Sequence, residues 1–120
     1  MLKEALLQSI ITDLGANYIE TDNIIVGALL DECIEDALNI SNRKQLVSLN
    51  EQGEYEAQSL SNQLTILASE IRKAVKSLYL QRGSEDVSNQ SLSGIRSTYD
   101  DVRKRMKDDI ICNGKRLFRI

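Results

Sequence analysis

The chain has 120 residues, with 18 acidic and 15 basic side chains and neither histidine nor proline. This length fits one domain with one modest core. A hydrophobic content of 42% with 28% charged residues is typical of a soluble globular chain and excludes a disordered one. Aromatic residues make up only 4%, which favours helices over a pleated sheet.

Two helices are predicted in the first third of the chain. Apolar residues recur at steps of three and four through residues 2–14, which predicts a helix that ends at Gly15. A second helix follows, capped by Thr21 or Asp22, and extends to about Ile40.

The second helix separates an apolar side from an acidic side. Cys33 lies among the apolar residues, and we predict a small buried side chain there rather than a ligand or nucleophile. The opposite side carries the acidic stripe, which consists of Asp31, Glu32, Glu35 and Asp36. Metal ligands must converge from several directions, and a working carboxyl needs a shaped, partly dry pocket. We therefore interpret the stripe as solvated or facing a partner.

The rest of the chain contains two further predicted helices. Residues 41–56 are mixed and rich in turn formers, and a third helix covers about 57–82, with Glu70 and Lys73 able to pair on its surface. A serine-rich segment, 83–98, is predicted as a long loop or a short extended stretch. The fourth helix then reaches about residue 112. The predicted fold class is all-α, a small bundle of about four helices.

We expect residues 1–112 to form the helical domain and 113–120 to form a basic C-terminal tail that is mobile in the isolated chain. The charge is unevenly spread. Residues 1–40 hold eight acids against one lysine, and residues 103–120 hold seven bases against two acids. Such surfaces pair between copies, meet an oppositely charged partner, or are ordinary solvated faces.

Catalytic motifs are missing from the sequence. The absence of histidine removes the commonest general base and metal ligand, and with it any Ser-His or Cys-His pair. There is no glycine-rich phosphate-binding motif and no Cys-x-x-Cys, and two cysteines do not make a disulfide framework. No apolar run is long enough for a membrane span, and no signal peptide opens the chain. We expect a protein that is not an enzyme and uses neither cofactor nor metal.

Nucleic acid binding is an alternative use of the basic cluster at 103–107, because its charge suits phosphate contacts. The chain is acidic overall and has no recognisable helix-turn-helix, so a solvated or protein-facing cluster is favoured. A further alternative is a small helical module that binds a partner helix.

Three stretches, in order, resemble the head–tail connector (adaptor or head-completion) proteins of tailed bacteriophages. They are TDNIIVGALLDECIEDALNISNR at 21–43, AVKSLYLQRGSEDVSNQSLSGIRSTYDD at 74–101 and DDIICNGKRLFRI at 108–120. The similarity includes an amphipathic helix ending near Asn-Arg, a long helix ending in Tyr and Arg-Gly, a Ser-Gly-hydrophobic segment, and a closing helix with a basic end. Residues 44–57 do not match the pattern.

The resemblance implies a structural virion protein of the phage neck, made in the bacterial host cytoplasm. Such proteins form a ring, usually of twelve copies, below the portal protein. The ring joins head to tail, extends the channel through which DNA passes without sequence specificity, and offers a platform for the next tail or stopper component. No membrane is involved. The family's C-terminal segment docks on the portal, which here assigns portal binding to Lys115, Arg116, Leu117, Phe118, Arg119 and Ile120.

Subunits in a ring meet through two different faces. We predict that one face is the acidic stripe and that the other is basic and includes Arg103, Lys104 and Lys107. The serine-rich segment is expected to order against a neighbouring copy, with Leu92 and Ile95 as its apolar anchors.

Overall fold

The computed structural model describes residues 1–19, 22–85 and 92–117. Within these residues the chain is a bundle of four α-helices, so the predicted all-α class is confirmed. The helices are α1 (Lys3–Leu14), α2 (Asn23–Ile40), α3 (Ala57–Glu85) and α4 (Leu92–Cys112).

Helix α3 is the longest of the four helices and packs against each of the other three. Its 29 residues give a length of about 43 Å at 1.5 Å per residue, close to the 45 Å long axis of the molecule. Apolar residues at helical spacing bury one side of α3 completely, namely Leu64, Leu67, Ile71 and Val75. The other helices complete the core with residues such as Leu6, Leu38 and Ile110.

The helices that border the serine-rich segment are longer than the sequence predicted. Helix α3 continues past Gly83 to Glu85, and α4 begins at Leu92, so 93–97 are helical and not extended. Glycine inside a helix costs only about 1 kcal/mol relative to alanine, which a long helix already nucleated upstream tolerates. The middle of the predicted loop, 86–91, lies outside the described residues.

Tyr79 ties the connection between α1 and α2 to α3. Its hydroxyl donates to the Asp22 carboxylate at 2.7 Å and accepts from the Ile19 N–H at 3.2 Å. The hydrogen bond to Asp22, together with burial, raises the pKa of the Tyr79 phenol. Asp22 occupies the N-cap position of α2, but its side chain makes no capping hydrogen bond there. Gly15, with φ +53°, follows α1 as predicted.

The two cysteines have opposite environments. Cys33 is 2% exposed in the core, as predicted, and burial together with nearby Asp36 and Glu32 raises the pKa of its thiol to about 12. Cys112, the last residue of α4, is exposed. Across the three described ranges, no helix combines the length and apolar character that crossing a bilayer would require.

Candidate functional site

The acidic stripe lies on the outer side of α2, opposite its buried residues. Asp31 and Glu32 are exposed, and Asp31 forms a surface ion pair with Lys3 of α1. Glu35 is half-buried and receives hydrogen bonds from Lys44 and, at 2.5 Å, from the Tyr55 hydroxyl. Half of the stripe is therefore open to solvent, while Glu35 fixes the 41–56 segment to α2.

The Glu35–Tyr55 contact shifts both groups away from their ordinary titration ranges. The hydrogen bond from Lys44, followed by that from Tyr55, lowers the pKa of the Glu35 carboxyl. Burial, followed by the hydrogen bond to Glu35, raises the pKa of the Tyr55 phenol to about 12. At neutral pH the pair therefore consists of a charged carboxylate and a neutral phenol, and its role is structural.

A cationic patch, defined here as Arg103, Lys104, Lys107 and Arg116, lies where α4 passes the end of α2. Its four side chains line a depression of about 530 Å³ together with Asn39, Ile40 and Asp100. The sequence predicted the three α4 residues on one face and Arg116 in a separate tail. The fourth cation joins the patch only because the chain turns back after α4, which the Asn113-Gly114 pair could have signalled.

The acidic stripe and the cationic patch adjoin within a single molecule. Asp36, whose side chain is only 16% exposed, pairs with Arg103 at 3.7 Å. The contact exists because α2 and α4 pack against each other. The sequence predicted that these two residues belong to opposite faces that meet between copies, and their contact within one copy was not foreseen. The other predicted subunit contacts remain predictions.

Residues 113–117 form a C-terminal clip that folds back onto the end of α2. The Leu117 N–H donates to the Ser41 carbonyl at 2.8 Å, and the Asn42 side-chain amide donates to the Leu117 carbonyl at 2.7 Å. Arg43, which is 9% exposed, donates from Nε to the Lys115 carbonyl at 2.8 Å. Asn42 adopts φ +60°, a left-handed conformation that asparagine tolerates better than most residues.

Glu70 anchors the clip from the core side. It is 2% exposed, and its carboxylate accepts hydrogen bonds from Lys115 Nζ at 2.9 Å, from Asn113 Nδ2 at 2.9 Å and from Ser69. Burial alone raises the pKa of Glu70, but the hydrogen bonds from Lys115 and Asn113 outweigh it and hold the pKa below its usual value. Glu70 is thus a charged, buried group that depends on the clip for its partners.

The contacts of the clip correct two predictions made from the sequence. Glu70 was predicted to pair with Lys73 on an exposed surface, whereas it is buried and pairs with Lys115. Residues 113–117 were predicted to be mobile in the isolated chain, whereas they are held by the hydrogen bonds above. Among the predicted portal-binding residues, Lys115 and Leu117 are engaged within the chain and Arg116 is exposed. Phe118, Arg119 and Ile120 lie outside the described residues.

A second concave surface, the hairpin groove, lies between α3 and α4 and has a volume of about 370 Å³. Its apolar floor includes Ala74, Leu80, Val102 and Met106, and its charged rim includes Lys73, Lys76, Arg105 and Asp109. Leu80 is 47% exposed. Leu92 and Ile95, the predicted loop anchors, lie in the first turns of α4, and their side chains are outside the described part of the chain.

Replacing Glu70 by glutamine is expected to weaken the acid dependence of stability. The pKa of Glu70 is lower in the folded chain than its unfolded value near 4.5. Its contribution is therefore complete above that value and disappears as the pH falls through the folded pKa. Urea unfolding should be measured at several pH values from about 6.5 to about 3. The difference in unfolding free energy between wild type and Glu70→Gln should shrink as the pH falls. The exposed Glu4→Gln variant is the control. A difference in unfolding free energy between wild type and Glu70→Gln that does not change with pH would contradict the expectation.

Within the described ranges, no group of cysteine and carboxylate side chains could hold a metal ion. No protein-family model matches the sequence, no curated protein is significantly similar to it, and no solved structure matches it significantly. The surfaces that bear on function are therefore the clip, the acidic stripe, the cationic patch and the hairpin groove.

Proposed function

We propose that this chain is a structural subunit of a tailed-phage neck, where copies form a ring below the portal protein. In this role the ring joins the head to the tail, extends the DNA channel and receives the next tail or stopper component. The proposal rests on the resemblance to head–tail connector proteins in stretches 21–43, 74–101 and 108–120, and the all-α fold is compatible with it.

One observation carries the proposal furthest: two of the resembling stretches meet in space. Asn42 and Arg43 end the first stretch, and both hydrogen-bond to backbone carbonyls of the third, at Leu117 and Lys115. These contacts join residues 75 and 72 positions apart. Motifs that depend on each other for partly buried hydrogen bonds have a physical reason to occur together. The first and third stretches therefore form one structural unit in this chain, as parts of one functional surface would.

The exposed charged surfaces of the molecule are compatible with assembly into a ring. Closing a ring requires two different faces that meet head to tail, and the exposed acids Asp31 and Glu32 offer one charged face. In this proposal Arg116 and residues 118–120 contact the portal, while Lys115 holds the clip to Glu70.

The direct test is electron microscopy of the purified chain mixed with the portal protein encoded in the same genome. We expect a ring of this chain on the portal that follows the portal's symmetry. A chain that stays monomeric at every concentration, with and without the portal, would reject the proposal.

Charge reversal on α2 tests whether the acidic stripe is part of the ring interface. Asp31→Lys combined with Glu32→Lys is expected to abolish ring incorporation while leaving the fold intact, since both side chains are exposed. Asp36 and Glu35 stay unchanged, because they hold α4 and Tyr55. The matched control is Glu51→Lys with Glu54→Lys, which makes the same charge change on a different exposed segment. Incorporation that is equal for both variants would remove the acidic stripe from the interface.

A second candidate function, contact with the DNA backbone, is favoured by the convergence of four cations in the cationic patch. If these cations bind phosphates, affinity for a duplex should fall with salt with a log–log slope of about −3.6 for four contacts. Fluorescence anisotropy with a labelled duplex at increasing salt measures this slope. Absence of binding at about 50 mM salt would exclude the candidate.

A further inference from the structure

The hairpin groove opens on the side of the molecule turned away from α2. Arg105 lines the groove, whereas Arg103, two positions earlier, reaches Asp36 of α2. Successive helical residues are rotated by about 100°, so these two arginines point to nearly opposite sides of α4. The outer face of α2 and the groove therefore lie on different sides of one copy, and neither can cover the other within the chain.

The outer face of α2 carries a continuous strip with an apolar end and an acidic end. Ile24, Ala28, Asp31 and Glu32 are all exposed and follow helical spacing. Ile24 is 86% exposed, the highest value among the large apolar side chains of the described residues. An isolated exposed apolar residue is ordinary, but here it begins a strip whose other end is charged.

The hairpin groove has the complementary arrangement. Its floor offers apolar side chains, with the half-exposed Leu80 at one end. Its rim carries Lys73, Lys76 and Arg105 against Asp109. Lys76 also pairs with Asp13 of α1 at 4.0 Å, so Lys73 and Arg105 are the cations that count against Asp109. Glu70 also borders the groove, but Lys115 already balances its charge. The rim is therefore net cationic, and an acidic segment with one apolar anchor fits it.

We propose that the α2 strip of one copy docks into the hairpin groove of the next copy. This contact deepens the proposed ring and rests on it, because it names the two faces that meet. The groove takes the place of Arg103, Lys104 and Lys107, the basic face predicted from the sequence. Ile24 contacts the apolar floor near Leu80, and Asp31 and Glu32 face Lys73 and Arg105. Since the two faces lie on different sides of each copy, the contact is heterologous and propagates from copy to copy until the ring closes.

The spacing of the two surfaces fixes their orientation. Ile24 and Asp31 are separated by about 10.5 Å along α2, and Leu80 and Lys73 by the same distance along α3. An antiparallel approach pairs Ile24 with Leu80 and Asp31 with Lys73. A parallel approach would instead place the carboxylate at the apolar end and the isoleucine at the lysine. The docked α2 therefore runs antiparallel to α3 of the neighbour.

Cross-linking tests the contact directly. The test variant carries Ile24→Cys and Leu80→Cys with Cys112→Ser, and the buried Cys33 is retained. A short bis-maleimide added to the variant, with and without the portal, is expected to give a ladder of dimers, trimers and larger species. Variants with only one introduced cysteine should stay uncross-linked. Dimers from the Ile24→Cys single variant would instead reveal a symmetric contact and overturn the proposal.

Charge substitution supplies the matched control. Lys73→Glu with Arg105→Glu should reduce the cross-linked yield by about tenfold. Lys104→Glu with Lys107→Glu tests the basic face predicted from the sequence, and it should reduce the yield only if that patch, and not the groove, forms the interface. Adding Asp31→Lys and Glu32→Lys to the groove variant should restore the ladder. Loss of cross-linking from the patch variant alone would move the interface to that patch and overturn the groove assignment.

The outcomes separate this inference from the proposed function. A ring on the portal without a ladder would reject the groove contact and leave the ring intact. A ladder without a portal-bound ring would support the contact and reject the connector role. Absence of both would reject both.

Discussion

Deleting residues 113–120 is expected to lower the free energy of unfolding by about 3–5 kcal/mol, a large share of the stability of an ordinary domain. The deletion removes Lys115 and Asn113, which leaves the Glu70 carboxylate buried without a cation. It also removes the Lys115 carbonyl that receives Arg43. Urea unfolding followed by circular dichroism measures the loss.

The matched control deletes only residues 118–120 and keeps the clip. This shorter deletion is expected to change stability by no more than about 0.5 kcal/mol if those residues contribute little to the fold. Adding Glu70→Leu to the longer deletion should recover much of the loss, because it replaces an unpaired buried charge by an apolar side chain. Equal stability of wild type and the 113–120 deletion would mean that the clip contributes nothing to folding.

Leu67→Ala is expected to cost about 3–4 kcal/mol and to lower the melting temperature by about 12 °C. Leu67 is fully buried in α3, so its truncation leaves a cavity against neighbours that relax only in part. Thermal unfolding followed by circular dichroism at 222 nm measures the effect.

The preceding residue of α3 provides the control. Ile66 is 38% exposed, so Ile66→Ala removes a similar volume from a partly solvated position and should cost less than about 1.5 kcal/mol. Both variants replace a four-carbon aliphatic side chain of the same helix by alanine, so the difference in unfolding free energy between them mainly reports burial. Similar costs at both positions would contradict the assignment of Leu67 to the core.

The existence of the helices was predictable because their apolar residues repeat with a helical period. Gly15 ends α1 as expected, and Cys33 is buried as expected. The ends of α3 and α4 were not predictable in the same way. Gly83 and its neighbouring serines are weak helix formers, and the penalty they impose is small beside the length of α3.

The candidate surfaces were predictable only where one helix defines them. Asp31 and Glu32 are exposed because the apolar period of α2 leaves that side free, and this is visible in the sequence. The burial of Glu70 is not visible, because its partners come from residues 43 and 45 positions away. Lys73, three positions from Glu70, was the local partner available to sequence reasoning. Contacts made by the returning chain end depend on the packing of α2, α3 and α4 together.

The contrast between the two cysteines makes the protein suitable for site-specific labelling. Thiolate is the reactive form of cysteine, and burial keeps Cys33 in its protonated form well above neutral pH. Cys112 is exposed and directly precedes the clip. A maleimide fluorophore should therefore attach to one position of the unmodified chain, next to the segment whose release from Glu70 it would report.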